Sequence, residues 1–151
     1  MIMETATYGR QTVLYIEDSA DEYLLLKLAS RKCGTPFVLQ RAEDGEKAMA
    51  YLDGNEAFAD REKFPFPDLV LLDLKMPRLD GFEVLQWIRG NHATRSLPVI
   101  VLAGSMFRAD IRRALELGAN SYATKPSKFN ELEVLVDQIA DVWLAREHAG
   151  R

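Results

Sequence analysis

The sequence predicts an α/β domain, a five-stranded parallel sheet wound doubly with helices on both faces. Residues 69–72, Leu-Val-Leu-Leu, are an aliphatic run with no polar interruption, the mark of a strand buried on both faces. Strand-like and helix-like segments alternate five times with short links, which builds a parallel sheet through right-handed crossovers. The third observation is a helical period near the carboxyl terminus, where Leu132, Leu135, Val136, Ile139, Val142 and Trp143 share one face. One domain is expected from 151 residues, with its core at about 12–146. A chain of that size buries roughly 68–70% of its unfolded surface without staples.

After about ten loose residues, the β-branched run 12–16 reads as a first strand that runs straight into Glu17 and Asp18. Ser19 caps the next helix, with Glu22 completing a capping box and Leu24, Leu25, Leu28 and Ala29 as its apolar stripe, and Gly34 stops it. Residues 37–40 form a second strand, Asp44-Gly45 a turn, 46–52 a helix, and Gly54 its close. Residues 55–67 are longer than a βα unit needs. They read either as a lid-like insertion or as a short extra helix pinned to the sheet edge by Phe58, Phe64 and Phe66. The strand at 69–72 follows and ends in Asp73, the first residue out of the core. Met76-Pro77 and Asp80-Gly81 then turn the chain and leave Gly81 at the mouth of a helix over 82–89. In that helix Val84, Leu85 and Ile88 face inward, and Glu83, Gln86 and Arg89 outward. Residues 97–102 give a fourth buried strand ending in the small residues Ala103, Gly104 and Ser105. A helix over 110–117 closes at Gly118, residues 121–124 give a fifth strand, and Lys125-Pro126 leaves it.

Composition excludes several classes of function. Net charge is −4 and the basic residues are scattered, so no surface here attracts nucleic acid. The lone Cys33 excludes an internal disulfide and fits a reducing compartment. No window is apolar enough for a membrane span, and the chain reads as cytoplasmic. His92 and His148 fall in a loop and in the tail, without partners that would make either a ligand. Met106, Phe107 and Trp143 read as core or chance exposure rather than a partner surface.

If the sheet is parallel, the carboxyl ends of strands one, three, four and five share an edge, where open α/β sheets bind ligands. Glu17, Asp18, Asp73, the segment from Ala103 to Ser105 and Lys125 converge there. Three crowded carboxylates repel unless a divalent cation neutralises them, and Mg²⁺ suits such hard oxygen donors. A screened carboxylate can then attack phosphorus to give an aspartyl phosphate, with the lysine ammonium offsetting the negative oxygens. No glycine-rich loop of the phosphate-cradling kind is present.

Glu17-Asp18 after strand one, Asp73 with Met76-Pro77 and Asp80-Gly81 behind it, and Lys125-Pro126 after strand five resemble the receiver domain of two-component response regulators, a flavodoxin-like fold. The resemblance implies Asp73 as phosphoacceptor, Lys125 on the phosphoryl group, and Mg²⁺ held by Glu17, Asp18, Asp73 and the backbone carbonyl of Lys75. Glu17 either ligates directly or reaches the metal through water. Pro77 and Gly81 serve the turn, Pro126 is expected cis, and Tyr122 matches the aromatic switch residue. The hydroxyl-bearing switch position is occupied by Ala103, and Ser105 is the substitute to consider. A haloacid-dehalogenase-like phosphatase would carry Asp two residues past its nucleophile, where this chain has Lys75. The long segment before strand three resembles receivers without output domains that pair with bacterial phytochrome-type histidine kinases. The implied partners are such a kinase, a downstream or phosphotransfer protein, and a second copy in a homodimer. The implied function is self-catalysed phosphoryl transfer rather than enzymatic turnover, signalled through the face from the fourth helix to the fifth. Ala103 leaves a second reading, an adaptor of the same fold that acts without phosphorylation.

Overall fold

The computed structural model describes residues 10–104 and 106–144. Ser105, His148, the first nine residues and the last residues of the expected core lie outside them. Five strands, β1 (Gln11–Ile16), β2 (Phe37–Ala42), β3 (Leu69–Leu72), β4 (Val99–Ala103) and β5 (Ser121–Thr124), form one sheet in the order β2-β1-β3-β4-β5, every neighbouring pair parallel. The helices are α1 (Ala20–Ala29), α2 (Gly45–Asp53), α3 (Gly81–Gly90), α4 (Arg108–Glu116) and α5 (Phe129–Trp143).

Strand alternation divides the core into two layers. Leu14, Ile16, Val70, Leu72, Val99 and Val101 point toward α2, α3 and α4, where they meet Ala48, Tyr51, Val84, Leu85, Ile88 and Ala114. Val13, Tyr15, Leu69, Leu71, Ile100 and Leu102 point the other way, onto Leu26 and Ala29 of α1 and Leu132, Val136 and Ile139 of α5. Every residue of β3 is buried, as its aliphatic run requires.

The helix ends follow local chemistry, with some corrections to the expected patterns. Asp44 caps α2 by accepting from the Lys47 amide, and Gly54 ends it at φ +68, a left-handed geometry that favours glycine. Asp80 and Glu83 form a reciprocal capping box at α3. At α1 only half the expected box exists: the Ser19 hydroxyl accepts from the Glu22 amide, while the Glu22 carboxylate lies 3.6 Å from Lys125 Nζ. The expected apolar stripe of α1 is also out of phase. Leu26 and Ala29 are buried, but Leu24 and Leu25 are 52% and 44% exposed, because the helix meets the sheet and α5 along one narrow line. On α5, Val142 is exposed although it fits the period. Arg89, expected outward, is half-buried and bolts α3 to the loops before β4 and β5 by donating to the Leu97 and Gly118 carbonyls and to Asn120 Oδ1.

Residues 55–67 are no lid. They precede β3 and therefore lie at the amino edge of the sheet, away from the strand ends that carry the acids. A short 3₁₀ turn (Glu56–Phe58) is pinned there by Phe58 and Phe64, whose rings sit 5.2 Å and 5.9 Å from that of Tyr51. Arg61 completes the strap, donating to the carbonyls of Tyr51, Leu52 and Phe64.

Candidate functional site

The register of the sheet assembles the site. Ile16 pairs with Leu72 at the ends of β1 and β3, so the next residues, Glu17 and Asp73, stand side by side, and the Asp73 amide donates to the Ile16 carbonyl at 3.1 Å. Ala103 pairs with Thr124 one strand further on, and the Lys125 amide donates to the Ala103 carbonyl at 2.7 Å. Continuing the alternation from Tyr15 and Leu71, the side chains of Glu17 and Asp73 emerge on the α1 and α5 side of the sheet. The place is the crevice between β1 and β3, where the order of winding reverses.

There one carboxylate oxygen from each of Glu17, Asp18 and Asp73 comes within 4.8 Å of the other two. Glu17 is 2% exposed and Asp73 6%, whereas Asp18 faces solvent. The Lys125 ammonium lies 2.7 Å from Glu17 Oε1 and 3.7 Å from Asp73 Oδ1. Glu17 is held three ways: Oε1 also accepts from the Tyr15 hydroxyl at 3.1 Å, and Oε2 accepts from the Ser19 amide at 3.2 Å. Burial pushes the Asp73 carboxyl from 3.8 up to about 6. Lys125 and the Lys75 amide oppose that rise, and the charges of Glu17 and Asp18 reinforce it. Burial works against the Lys125 ammonium, but its bond to Glu17 and the charges of Asp73, Glu17 and Glu22 outweigh it and hold the pKa above the ordinary lysine value. The same burial, with Glu17 beside it, drives the Tyr15 hydroxyl far up, so it serves only as a donor.

Three carboxylates facing one ammonium form an under-compensated, all-oxygen donor set, the chemistry of a hard divalent cation. A cation there would oppose the rise that burial imposes on the Asp73 carboxyl.

The supporting residues also have definite places. Gly81 sits against the acceptor's own backbone: its amide donates to the Leu74 carbonyl at 2.8 Å, and a Cβ there would overlap the Asp73 carbonyl oxygen and Leu74 Cα. Pro77 lies in the exposed turn, followed by Arg78 at φ +65, whose guanidinium pairs with Asp44. Ala103 is buried and Tyr122 half-buried, both on the α3 and α4 side and packed into that layer of the core. The expected cis bond before Pro126 is not found, since no peptide bond among the described residues is cis. Trans is the lower-energy form of an X–Pro bond by about 0.5–1 kcal/mol. With it, Lys125 keeps both its backbone bond to Ala103 and its ammonium bond to Glu17.

Tyr15 and Glu22 also belong to the site, and Arg41 borders it by donating to the Glu17 and Asp18 carbonyls, all three parts missed by the sequence reading. Tyr15 stands two residues before Glu17 on one strand face, a spacing that placed it there had the hydroxyl been weighed. Glu22 had a competing local explanation as a capping residue. Nothing in the sequence around Arg41 marks it out.

The chain matches the response regulator receiver domain family over residues 13–137. It is similar to the probable methanogenesis regulatory protein FilR2 of Methanothrix harundinacea, 35% identical over 132 residues, which are 87% of this chain and 83% of that protein. Response regulator Rcp1 of Synechocystis is 34% identical over 134 residues, 89% of each protein. The crystal structure of its Mn²⁺-bound form superposes with a TM-score of 0.77 over 89% of this chain and 94% of that one. The phosphorylated cyanobacterial phytochrome response regulator RcpA superposes with a TM-score of 0.82 at 32% identity, over 91% of this chain and 96% of that one. A family match that runs from the first strand into the last helix, with relatives this similar over most of their length, establishes that this chain belongs to the response regulator receiver domain family.

Proposed function

We propose that this protein takes a phosphoryl group from a histidine kinase onto Asp73, with Mg²⁺ as cofactor, and passes the signal on by protein contact. One observation carries the reading: three carboxylates within 4.8 Å at the strand ends, with an ammonium 3.7 Å from Asp73 Oδ1. In the transfer an Asp73 oxygen attacks the phosphorus of the kinase phosphohistidine. The P–O bond to Asp73 forms as the P–N bond breaks, and the imidazole leaves with the electron pair. Lys125 is close enough to turn its ammonium from Asp73 to the arriving phosphoryl oxygens while Glu17 retains it at 2.7 Å. Asp18, Asp73 and the Lys75 carbonyl would hold Mg²⁺, with Glu17 directly or through water, and the ion would supply positive charge to offset the anions at the site.

The kinase is of the phytochrome type, a reading supported by the superposition on the cyanobacterial phytochrome response regulator RcpA at a TM-score of 0.82. The reaction leaves the protein as a phosphoacceptor rather than a turnover enzyme, and it acts in the cytoplasm. No helix among the described residues is long and apolar enough to cross a membrane. The signal leaves through α4, β5 and α5, toward a downstream or phosphotransfer protein or a second copy. Intact mass after incubation with Mg²⁺ and acetyl phosphate tests the core of this reading. A gain of one phosphoryl group on wild type and none on Asp73→Asn is expected. No gain on folded wild type would overturn it and favour the unmodified adaptor, the reading that rests on Ala103.

A further inference from the structure

We infer that Arg41 is a positioning residue for the metal ligands: its guanidinium sets the β1–α1 turn that presents Asp18. The inference rests on the cation-binding reading of the acidic cluster. Asp18 is the one acid of the cluster that faces solvent, so burial does not hold it in place. Its backbone is held instead from β2. Arg41 Nε donates to the Glu17 carbonyl at 3.0 Å and Nη2 to the Asp18 carbonyl at 2.9 Å. The neighbouring residue acts with it, because the Ala42 carbonyl accepts from the Glu17 amide at 3.0 Å. Two consecutive residues of β2 thus fasten three backbone groups of the turn, with one planar fork spanning two successive carbonyls.

The fork is itself oriented. Arg41 Cζ lies 5.8 Å from the centroid of the Tyr23 ring, and the Tyr23 hydroxyl donates back to β2 at the Leu39 carbonyl, 3.3 Å away. Tyr23 is on α1, the helix that follows the turn, so the arrangement ties strand, turn and helix together. Charge alone would argue against an arginine here, since a cation beside the site repels another. Its presence is explained by geometry.

Lysine at this position keeps the charge but not the fork, which separates the two effects. Partners that orient metal ligands from behind typically contribute 10–100-fold in affinity. The experiment is Mg²⁺ titration of the full chain by calorimetry, with Mn²⁺ competition as a second probe, for wild type, Arg41→Lys, Tyr23→Leu and Asp18→Asn. Urea unfolding of each in EDTA runs alongside. Arg41→Lys is expected to weaken Mg²⁺ binding about tenfold, at the low end of that range because lysine can keep one of the two bonds. Tyr23→Leu is expected to weaken it less. Unchanged affinity in Arg41→Lys, with binding intact in wild type and reduced in Asp18→Asn, would overturn the inference and leave the site standing, whatever the urea midpoints show. No binding to wild type, or equal binding to Asp18→Asn, would overturn the site reading and this inference with it.

Discussion

Removing the charge of Asp73 should make the metal-free protein more stable, and the gain should depend on pH. The folded carboxyl titrates near 6 rather than 3.8, so between those values the native state holds a proton that the unfolded chain has released. Stability contributed by this group is therefore present at low pH and lost as pH rises through about 6. At 1.36 kcal/mol per pH unit the whole rise is worth about 3 kcal/mol, a ceiling because Lys125 and solvent share the carboxylate. Asp73→Asn is isosteric and cannot ionise. Its advantage over wild type should grow from its value near pH 4 by about 1–3 kcal/mol at pH 7, or roughly 3–10 °C in Tm for a chain of this length. Chemical unfolding in EDTA at several pH values reads this directly. Saturating Mg²⁺ should then erase the difference, since a ligand at 100 times its Kd stabilises the native state by about 2.7 kcal/mol. A wild-type-to-Asn difference that stays flat from pH 4 to 8 would refute the claim that burial and the neighbouring acids strain Asp73.

Two further outcomes follow from the same structure. Arg61→Ala removes three bonds to backbone carbonyls at the amino edge of the sheet, and should cost about 2–3 kcal/mol in urea unfolding. Because that edge is remote from Asp73, its rate of phosphorylation by acetyl phosphate should stay within twofold of wild type; a larger fall would return residues 55–67 to the role of a lid. Ala103→Thr supplies a hydroxyl at the end of β4, and a charge-assisted bond from it to a phosphoryl group is worth about 1.5–3 kcal/mol. Hydrogen exchange over α4 and β5 should respond to phosphorylation more strongly in Ala103→Thr than in wild type. Equal responses would show that this protein couples its site to its surface by another route.

The difference between what was legible in the chain and what was not lies in the range of the interactions. Asp73 could be found because its signal is local: four buried aliphatics, a carboxylate, then Met-Pro and Asp-Gly within eight residues. Glu17, Asp18 and Lys125 needed one further step, that parallel strands bring their carboxyl ends together, and the register supplies it. The phase of α1 was misread because four apolar residues fit a helical stripe while only the packing angle decides which of them meets the sheet. Leu26 won over Leu24 and Leu25 for a reason that resides in α5 and the sheet. Glu22 had two uses open to it, a local cap and a distant ammonium, and the distant one took the side chain. Arg41, Arg61 and Arg89 show the limit most plainly. Each reads as an ordinary polar residue in its segment, yet each donates to two or three backbone carbonyls on other segments. Such bonds carry no periodicity, because a carbonyl acceptor is present at every residue and leaves no mark in the sequence. The clustered acids are therefore legible from the chain, whereas the arginines that fasten one backbone segment to another become visible only once the sheet has formed.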